Sequence, residues 1–316
     1  MARESKFKKI LVTGGAGYVG IPVVQLLLSK GFEVRVFDNL SWGGNVLLPF
    51  LGNSKFDFMR GDIRKRQELA PAIEGIDAII HLAAIVGFPA CRKFPELSRQ
   101  TNVGGTKNLI SLTNGKIPII FASTGSTYGK IIEQFCTETT PLNPLSHYGK
   151  QKAKAEQLVK KNKKFIIYRF ATAFGAAPRF RLDLLINDFT FRAVVEKTLM
   201  VYEGDFMRTF IHVRDMASSF LFALKNYRKM EGEIYNVGDE SLNISKEEIA
   251  KLLLNNLDFH LHFIQDGHDI DQRDYVVDYS KIKKLGYKTK IGLQEGIEEL
   301  IKACGIIELK SPYGNV

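Results

Sequence analysis

Residues Thr13 to Gly20 read TGGAGYVG, and they lie between an apolar β-branched run, KILVT, and an amphipathic helical stretch that Gly31 can terminate. Few local patterns constrain a fold as tightly. A chain that leaves a strand, turns sharply on glycine and enters a helix aims free N–H groups and the positive end of the helix dipole at one point. A pyrophosphate can approach the backbone there. Gly14, Gly17 and Gly20 form one candidate trio, and Gly15, Gly17 and Gly20 fit the shorter spacing. The strand before and the helix after carry the inference more than the glycines themselves.

The next apolar run, EVRVFD, ends in Asp38. It stands roughly twenty residues past the glycines, where a carboxylate accepts hydrogen bonds from an adenosine ribose. No arginine follows it immediately, so NAD is the expected cofactor and not NADP.

Further runs continue the alternation: FDFM, AIIHLA, IPIIFAS and FIIYRF, with helix candidates at Ile21 to Lys30, Arg66 to Ile73, Val103 to Thr113 and Lys150 to Lys161. The runs are apolar on both faces, as strands are when helices cover both sides of a parallel sheet. An α/β fold with a Rossmann-type doubly wound sheet is predicted over 1–174. Past Gly175 the alternation stops, and a smaller mixed α/β substrate lobe is predicted over 175–316. The segments IHVRDMASSFLFALKN and EIYNVG, within 211–238, are expected to return to the first lobe. Ser245 and Glu248 have capping-box spacing and predict a helix start. The tail after Leu309 is expected to be loosely held.

Composition narrows the function classes. No run of eighteen apolar residues occurs, and MARESKFKK leads into a strand instead of a secretory h-region, so a cytoplasmic protein with no membrane partner is expected. Cys91, Cys136 and Cys304 have no zinc or redox spacing. In DFHLHFI, His260 and His262 share a face with Asp266, His268, Asp269 and Asp271 nearby, but the spacing matches no metal site and an exposed strand edge is expected. The formal charge of +10 raises nucleic-acid binding as a rival reading, that of a non-catalytic or regulatory dinucleotide fold. Its lysines, however, are scattered in pairs such as Lys160-Lys161 and Lys283-Lys284, which solvated faces explain. No nucleic-acid partner is expected.

Chemistry enters with Tyr148 and Lys152. Four residues apart at the opening of a helix, they share one face. An unperturbed phenol has a pKa near ~10 and needs a neighbouring cation to act as a base near neutrality. Upstream, FASTGSTYG puts Ser123, Thr124, Ser126 and Thr127 at the C-terminal end of the fifth strand, where ligands of open α/β sheets bind.

With these residues in place, and with GDIR at Gly61, HLAA at His81, NVGGTKNL at Asn102, YRFATAFG at Tyr168 and RTFIHVRD at Arg208, the chain resembles the extended short-chain dehydrogenase/reductase family. The likeness is to its nucleotide-sugar epimerases and dehydratases. It implies Thr124, Tyr148 and Lys152 as catalytic residues, and cofactor contacts from Gly14, Gly17, Tyr18, Val19, Asp38, Asn39, Tyr148 and Lys152. It also implies Asp62 and Ile63 near the adenine, Leu82, Ala83 and Ala84 beside the cofactor, and Phe170 on the nicotinamide side. Ser126, Thr172, Asn187, Arg208 and Arg273 would meet the substrate, the two arginines clamping its diphosphate. The resemblance further implies a homodimer through the helices at Val103 to Thr113 and Lys150 to Lys161.

Departures from the family pattern sharpen the expectation. Members that eliminate water or carbon dioxide resemble T-D-E or T-S-E after the fifth strand, whereas this chain has Thr124-Gly125-Ser126, and no cysteine stands there as in 3,5-epimerising members. What remains is redox chemistry at a single carbon, usually C4, of a nucleotide-diphosphate sugar. Epimerisation is the expected outcome, with net 4-dehydrogenation or ketoreduction as the alternative. The base and the sugar are expected to be set by Val86 to Cys91, Arg179 to Asn187 and Met200 to Arg208.

Overall fold

The computed structural model describes residues 7–129, 135–264 and 275–307. The β-branched runs form strands where the sequence places them: β1 (Lys9–Thr13), β2 (Glu33–Asp38), β3 (Phe56–Arg60), β4 (Ala78–His81), β5 (Ile119–Thr124) and, after a short β6 (Phe135–Cys136), β7 (Phe165–Phe170). Beyond them lie β8 (Thr172–Phe174), β9 (Thr198–Tyr202), β10 (Met207–His212), β11 (Glu233–Val237), β12 (Asn243–Ser245), β13 (His260–Ile264) and β14 (Val276–Val277).

A seven-stranded sheet runs β11-β7-β5-β4-β1-β2-β3, and its pairings are parallel. This is the doubly wound Rossmann-type architecture. Because side chains alternate across a strand, Ile10 and Val12 of β1 join one core with helix Gly20–Ser29 and helix Val213–Met230, while Leu11 joins another with helix Thr106–Thr113 and helix His147–Lys160. The chain builds β2 and β3 to one side of β1 and then returns to build β4 and β5 on the other. The C-terminal ends of β1 and β4 therefore flank a crevice, where ligands of such sheets bind.

EIYNVG supplies β11, which adds to the sheet edge beside β7. A separate core, including Phe174, Ile186, Leu199, Phe210, Ile249 and Leu300, lies among the smaller sheets and helices Leu185–Phe191, Lys246–Leu254 and Leu293–Cys304. The capping box at Ser245 and Glu248 is formed in both directions. β13 pairs in parallel with β9, and His260 and His262 are exposed on it. Asp266, His268, Asp269 and Asp271 lie outside the described residues, as does the tail after Leu309. Among the described residues no His, Cys, Asp and Glu grouping could hold a metal ion, and no helix is long and apolar enough to cross a membrane.

Helix limits differ from expectation for identifiable reasons. The stretch expected from Arg66 to Ile73 divides into Arg66–Leu69 and a 3-10 turn, Pro71–Ile73, because Pro71 lacks the N–H that would continue the helix. The helix expected from Val103 begins at Pro95 and passes through a π-turn, Gln100–Gly105. Gly104 and Gly105 fall at the end of that π-turn. In the fold Gly105 lets the helix approach the loop after β3, since a Cβ there would meet Ile63 Cγ2 at 2.6 Å.

Candidate active site

At the end of β1 the chain turns on Gly14, whose φ of +74° lies in the left-handed region that favours glycine. A Cβ on Gly14 would also come within 2.7 Å of the Ala83 nitrogen, and one on Gly20 would overlap the Gly14 carbonyl. Hydrogen bonds from Gly17 N to Gly14 O at 3.1 Å and from Ile21 N to Gly17 O at 3.1 Å carry the loop into the helix. The loop is thus a backbone cradle at a helix N-terminus with no side chain filling it, the form a pyrophosphate needs. Gly14→Ala is expected to weaken NAD binding at least ~10-fold, read by titration calorimetry on protein whose circular dichroism is native. Undiminished affinity would remove the loop from the cofactor site.

Asp38 ties this loop to the end of β2. Its carboxylate accepts from Ala16 N at 3.0 Å and from Leu40 N at 2.8 Å, and burial, outweighing those two bonds, raises its pKa above the ordinary value. Each oxygen keeps acceptor capacity toward the cavity it lines, which suits ribose hydroxyls and repels a ribose phosphate. Asp62 also lines the cavity, but Arg64 forks onto it with Nε contacts of 3.0 and 2.9 Å. Burial alone would raise the Asp62 pKa, yet the bonds from Arg64 outweigh it and hold the carboxyl below its usual value.

Ser146 caps the helix His147–Lys160 by accepting from Gly149 N at 3.0 Å, so the helix starts earlier than the expected Lys150 and Tyr148 falls in its first turn. The positive end of the helix dipole favours a phenolate there. One turn on, Lys152 is only 3% exposed and its Nζ lies 4.0 Å from the centroid of the Phe121 ring. Burial pushes the Lys152 ammonium down to about 7, against the pull of Glu156 one further turn along. At the end of β5, the Thr124 hydroxyl accepts from Ser126 N at 3.2 Å and donates to the Ser126 hydroxyl at 3.2 Å.

Buried polar groups brace this wall from behind. Glu156 takes a two-pronged ion pair from Arg169, at 3.1 and 2.9 Å, and accepts from Ser123 at the end of β5. His81 accepts from Thr13 at Nδ1, 2.8 Å, and donates from Nε2 to Thr106, 3.0 Å. The direction follows because the Thr106 proton is committed to the Asn102 carbonyl at 2.7 Å. Burial, aided by the charge of Lys152, lowers the His81 pKa to about 3, so it stays neutral. From the π-turn, Asn102 grips both backbone groups of Ile85, accepting from its N at 2.8 Å and donating to its O at 2.8 Å, and donates to Gln151 at 2.8 Å.

These features surround a cavity of about 480 Å³. Gly14, Gly17, Tyr18, Val19, Asp38, Asn39, Asp62 and Ile63 line it, as do Leu82, Ala83, Ala84, Thr124, Ser126, Tyr148, Lys152, Phe170 and Thr172. Two expected substrate residues do not reach its wall. Asn187 is fully buried and spends its amide on Gly175 and on the Arg181 carbonyl. Arg208 is buried at the start of β10, donating to the Met207 carbonyl at 3.1 Å. Arg273 lies outside the described residues. The arginines on the wall are instead Arg64, Arg179 and Arg181, and Trp42 joins them there. Arg179 and Arg181 fall in the segment expected to set the base and the sugar, and their alternation was the signal that could have singled them out. For Trp42 the signal was a lone tryptophan before two glycines, shortly after Asp38.

A dinucleotide crevice with a tyrosine and lysine on one helical face defines an NAD-dependent enzyme of the extended short-chain dehydrogenase/reductase kind. Residues 10–238 match the model of the NAD dependent epimerase/dehydratase family, and the chain belongs to that family. It is 29% identical to CDP-paratose 2-epimerase of Salmonella typhi, over 92% of this chain and 98% of that one. It is 30% identical to the low-salt glycan biosynthesis protein Agl12 of Haloferax volcanii, over 92% and 97%. Among solved structures, UDP-glucuronic acid 4-epimerase from Bacillus cereus, in complex with UDP-glucuronic acid and NAD, superposes with a TM-score of 0.84 at 26% identity, covering 94% of this chain and 99% of that one.

Proposed function

We propose that this enzyme oxidises one hydroxyl-bearing carbon, C4, of a nucleotide-diphosphate sugar to a 4-keto sugar and then reduces the ketone from its opposite face, acting as an epimerase. The observation that carries the reading is the meeting of Thr124, Tyr148 and Lys152 on the wall of the cavity that the glycine loop and Asp38 also line. The bound 4-epimerase among the structural neighbours supports both the substrate class and the carbon.

NAD, when bound, supplies the hydride acceptor and afterwards the donor. Tyr148, as phenolate, takes the proton of the sugar hydroxyl and returns it when the ketone is reduced. Lys152 stabilises the phenolate from one turn away, and the positive end of the helix dipole adds to the same field. Thr124 and Ser126 hold the reacting oxygen by hydrogen bonds. The hydroxyl of Ser126 cannot serve as the general acid or base that elimination requires at that position, so the ketone is left to be reduced.

Incubation of UDP-, GDP-, CDP- and dTDP-sugars in deuterated water tests this. The expected result is an inverted C4 centre on one nucleotide sugar, no solvent deuterium on carbon and no net NADH absorbance. Stoichiometric NADH with a released keto sugar would replace the epimerase by a dehydrogenase, and deuterium at the inverted carbon would sink the hydride mechanism.

A further inference from the structure

Two walls of the cleft touch at a place the sugar chemistry does not use. Residues 175–184 form one of them, and their backbone is tied down. Gly175 N donates to Asn187 Oδ1 at 3.0 Å, Asn187 donates to Arg181 O at 2.9 Å, Ala176 N donates to Glu299 at 3.1 Å, and the Tyr18 hydroxyl of the glycine loop donates to Gly175 O at 2.7 Å. On this fixed segment Arg181 is neutralised by Asp183 through contacts of 3.0 and 2.6 Å. Arg179, only 5% exposed, directs its guanidinium across the cleft, with Cζ 4.3 Å from the centroid of the Trp42 ring.

Trp42 belongs to the opposite wall. It follows Asp38 in a turn with Leu40 at φ +60° and Gly43 at φ +87°, and nothing would obstruct a Cβ on Gly43. The ring lines the cavity and is also 43% exposed, which places it at the rim. The contact therefore joins the segment that follows Asp38 to the segment that follows Phe170, and each of these is hydrogen-bonded to the glycine loop, at Ala16 and at Tyr18.

We propose that Trp42 and Arg179 form a clasp across the mouth of the cleft that retains the dinucleotide. It combines a cation–aromatic contact with a guanidinium charge on the wall of the cavity that the glycine loop also lines. The pyrophosphate of a nucleotide sugar offers the same chemistry, and the clasp is assigned to the dinucleotide because the segments that carry its two residues are both hydrogen-bonded to the glycine loop, Asp38 accepting from Ala16 N and Tyr18 donating to Gly175 O. This inference rests on the cofactor reading of the cleft and is independent of which sugar is bound.

Trp42 is the chain's single tryptophan, so its fluorescence reports on this contact alone. NADH-loaded protein, without any sugar nucleotide, is mixed with excess NAD, and NADH release is followed by loss of energy transfer from Trp42 or, in Trp42 variants, by NADH emission. Arg179→Gln and Trp42→Leu are each expected to speed release by about twofold to fivefold, the factor that corresponds to one such contact at an exposed rim. The double variant is expected to be no faster than the faster single one, because both changes remove the same contact. Unchanged release in both single variants, or multiplicative effects in the double variant, would overturn the clasp. So would variants that lose UDP or dTDP affinity while holding NADH as tightly as before. If no sugar nucleotide is ever turned over and release still accelerates as stated, the clasp stands and the epimerase reading falls alone.

Discussion

Replacing Tyr148 by phenylalanine is expected to lower turnover at least ~100-fold while leaving NAD affinity within a few-fold of the parent. The ring is kept, so packing at the first turn of the helix is preserved, and only the oxygen that carries the proton is lost. A bystander tyrosine on a half-buried helix face would give a variant with ordinary turnover, and that result would take Tyr148 out of the mechanism. The split between a collapsed kcat and a preserved cofactor affinity is the signature, since loss of a binding residue would move both.

Lys152→Met is expected to have a comparable effect at neutral pH, with a different pH profile. Phenolate and ammonium stabilise one another, so their titrations are coupled. Without the cation the ascending, acid-side limb of the turnover profile should move up toward the ordinary phenol value near ~10, and part of the activity should return as pH rises. A profile of unchanged shape would reduce Lys152 to a structural role. Stability gives a second readout. The folded cofactor-free protein holds Lys152 at about 7, well below the 10.5 of an unhindered lysine. Between those values the unfolded chain binds more protons than the folded one, so stability rises with pH through that window. From about pH 7 to about pH 9 the parent should gain about 2 kcal/mol relative to Lys152→Met, seen as a shift of several degrees in melting temperature. A difference that stayed flat over that range would show that the ammonium is not buried at such cost.

The sheet was legible because each strand has its own local signature. KILVT and EVRVFD coincide with β1 and β2, and the spacing of Asp38 from the glycines has one use in such a sheet. Tyr148 and Lys152 were legible because a helix turns a sequence interval into a shared face. Arg208 shows where that logic ends. The long arginine side chain can meet a cavity or bury itself behind a strand, and the choice is made by Phe206, Met207 and their neighbours and not by spacing. Asn187 stands off the cavity wall for a related reason, since its amide is consumed by backbone groups of Gly175 and Arg181 that only the folded chain brings near. Trp42 and Arg179 meet across 137 residues of chain, a pairing no local pattern encodes.

The grip of Asn102 on Ile85 divides the loop after β4 into two stretches under different obligations. Leu82 to Ala84, upstream of the anchor, keep their place beside Gly14 whatever happens further on. Val86 to Pro89, between that anchor and the buried Cys91, which itself donates to the Ile85 carbonyl, can lengthen, shorten or change character without disturbing the floor beneath them. Selection for a new sugar can therefore rewrite the rim of such a cleft by insertion and deletion, while the machinery that moves electrons is inherited intact.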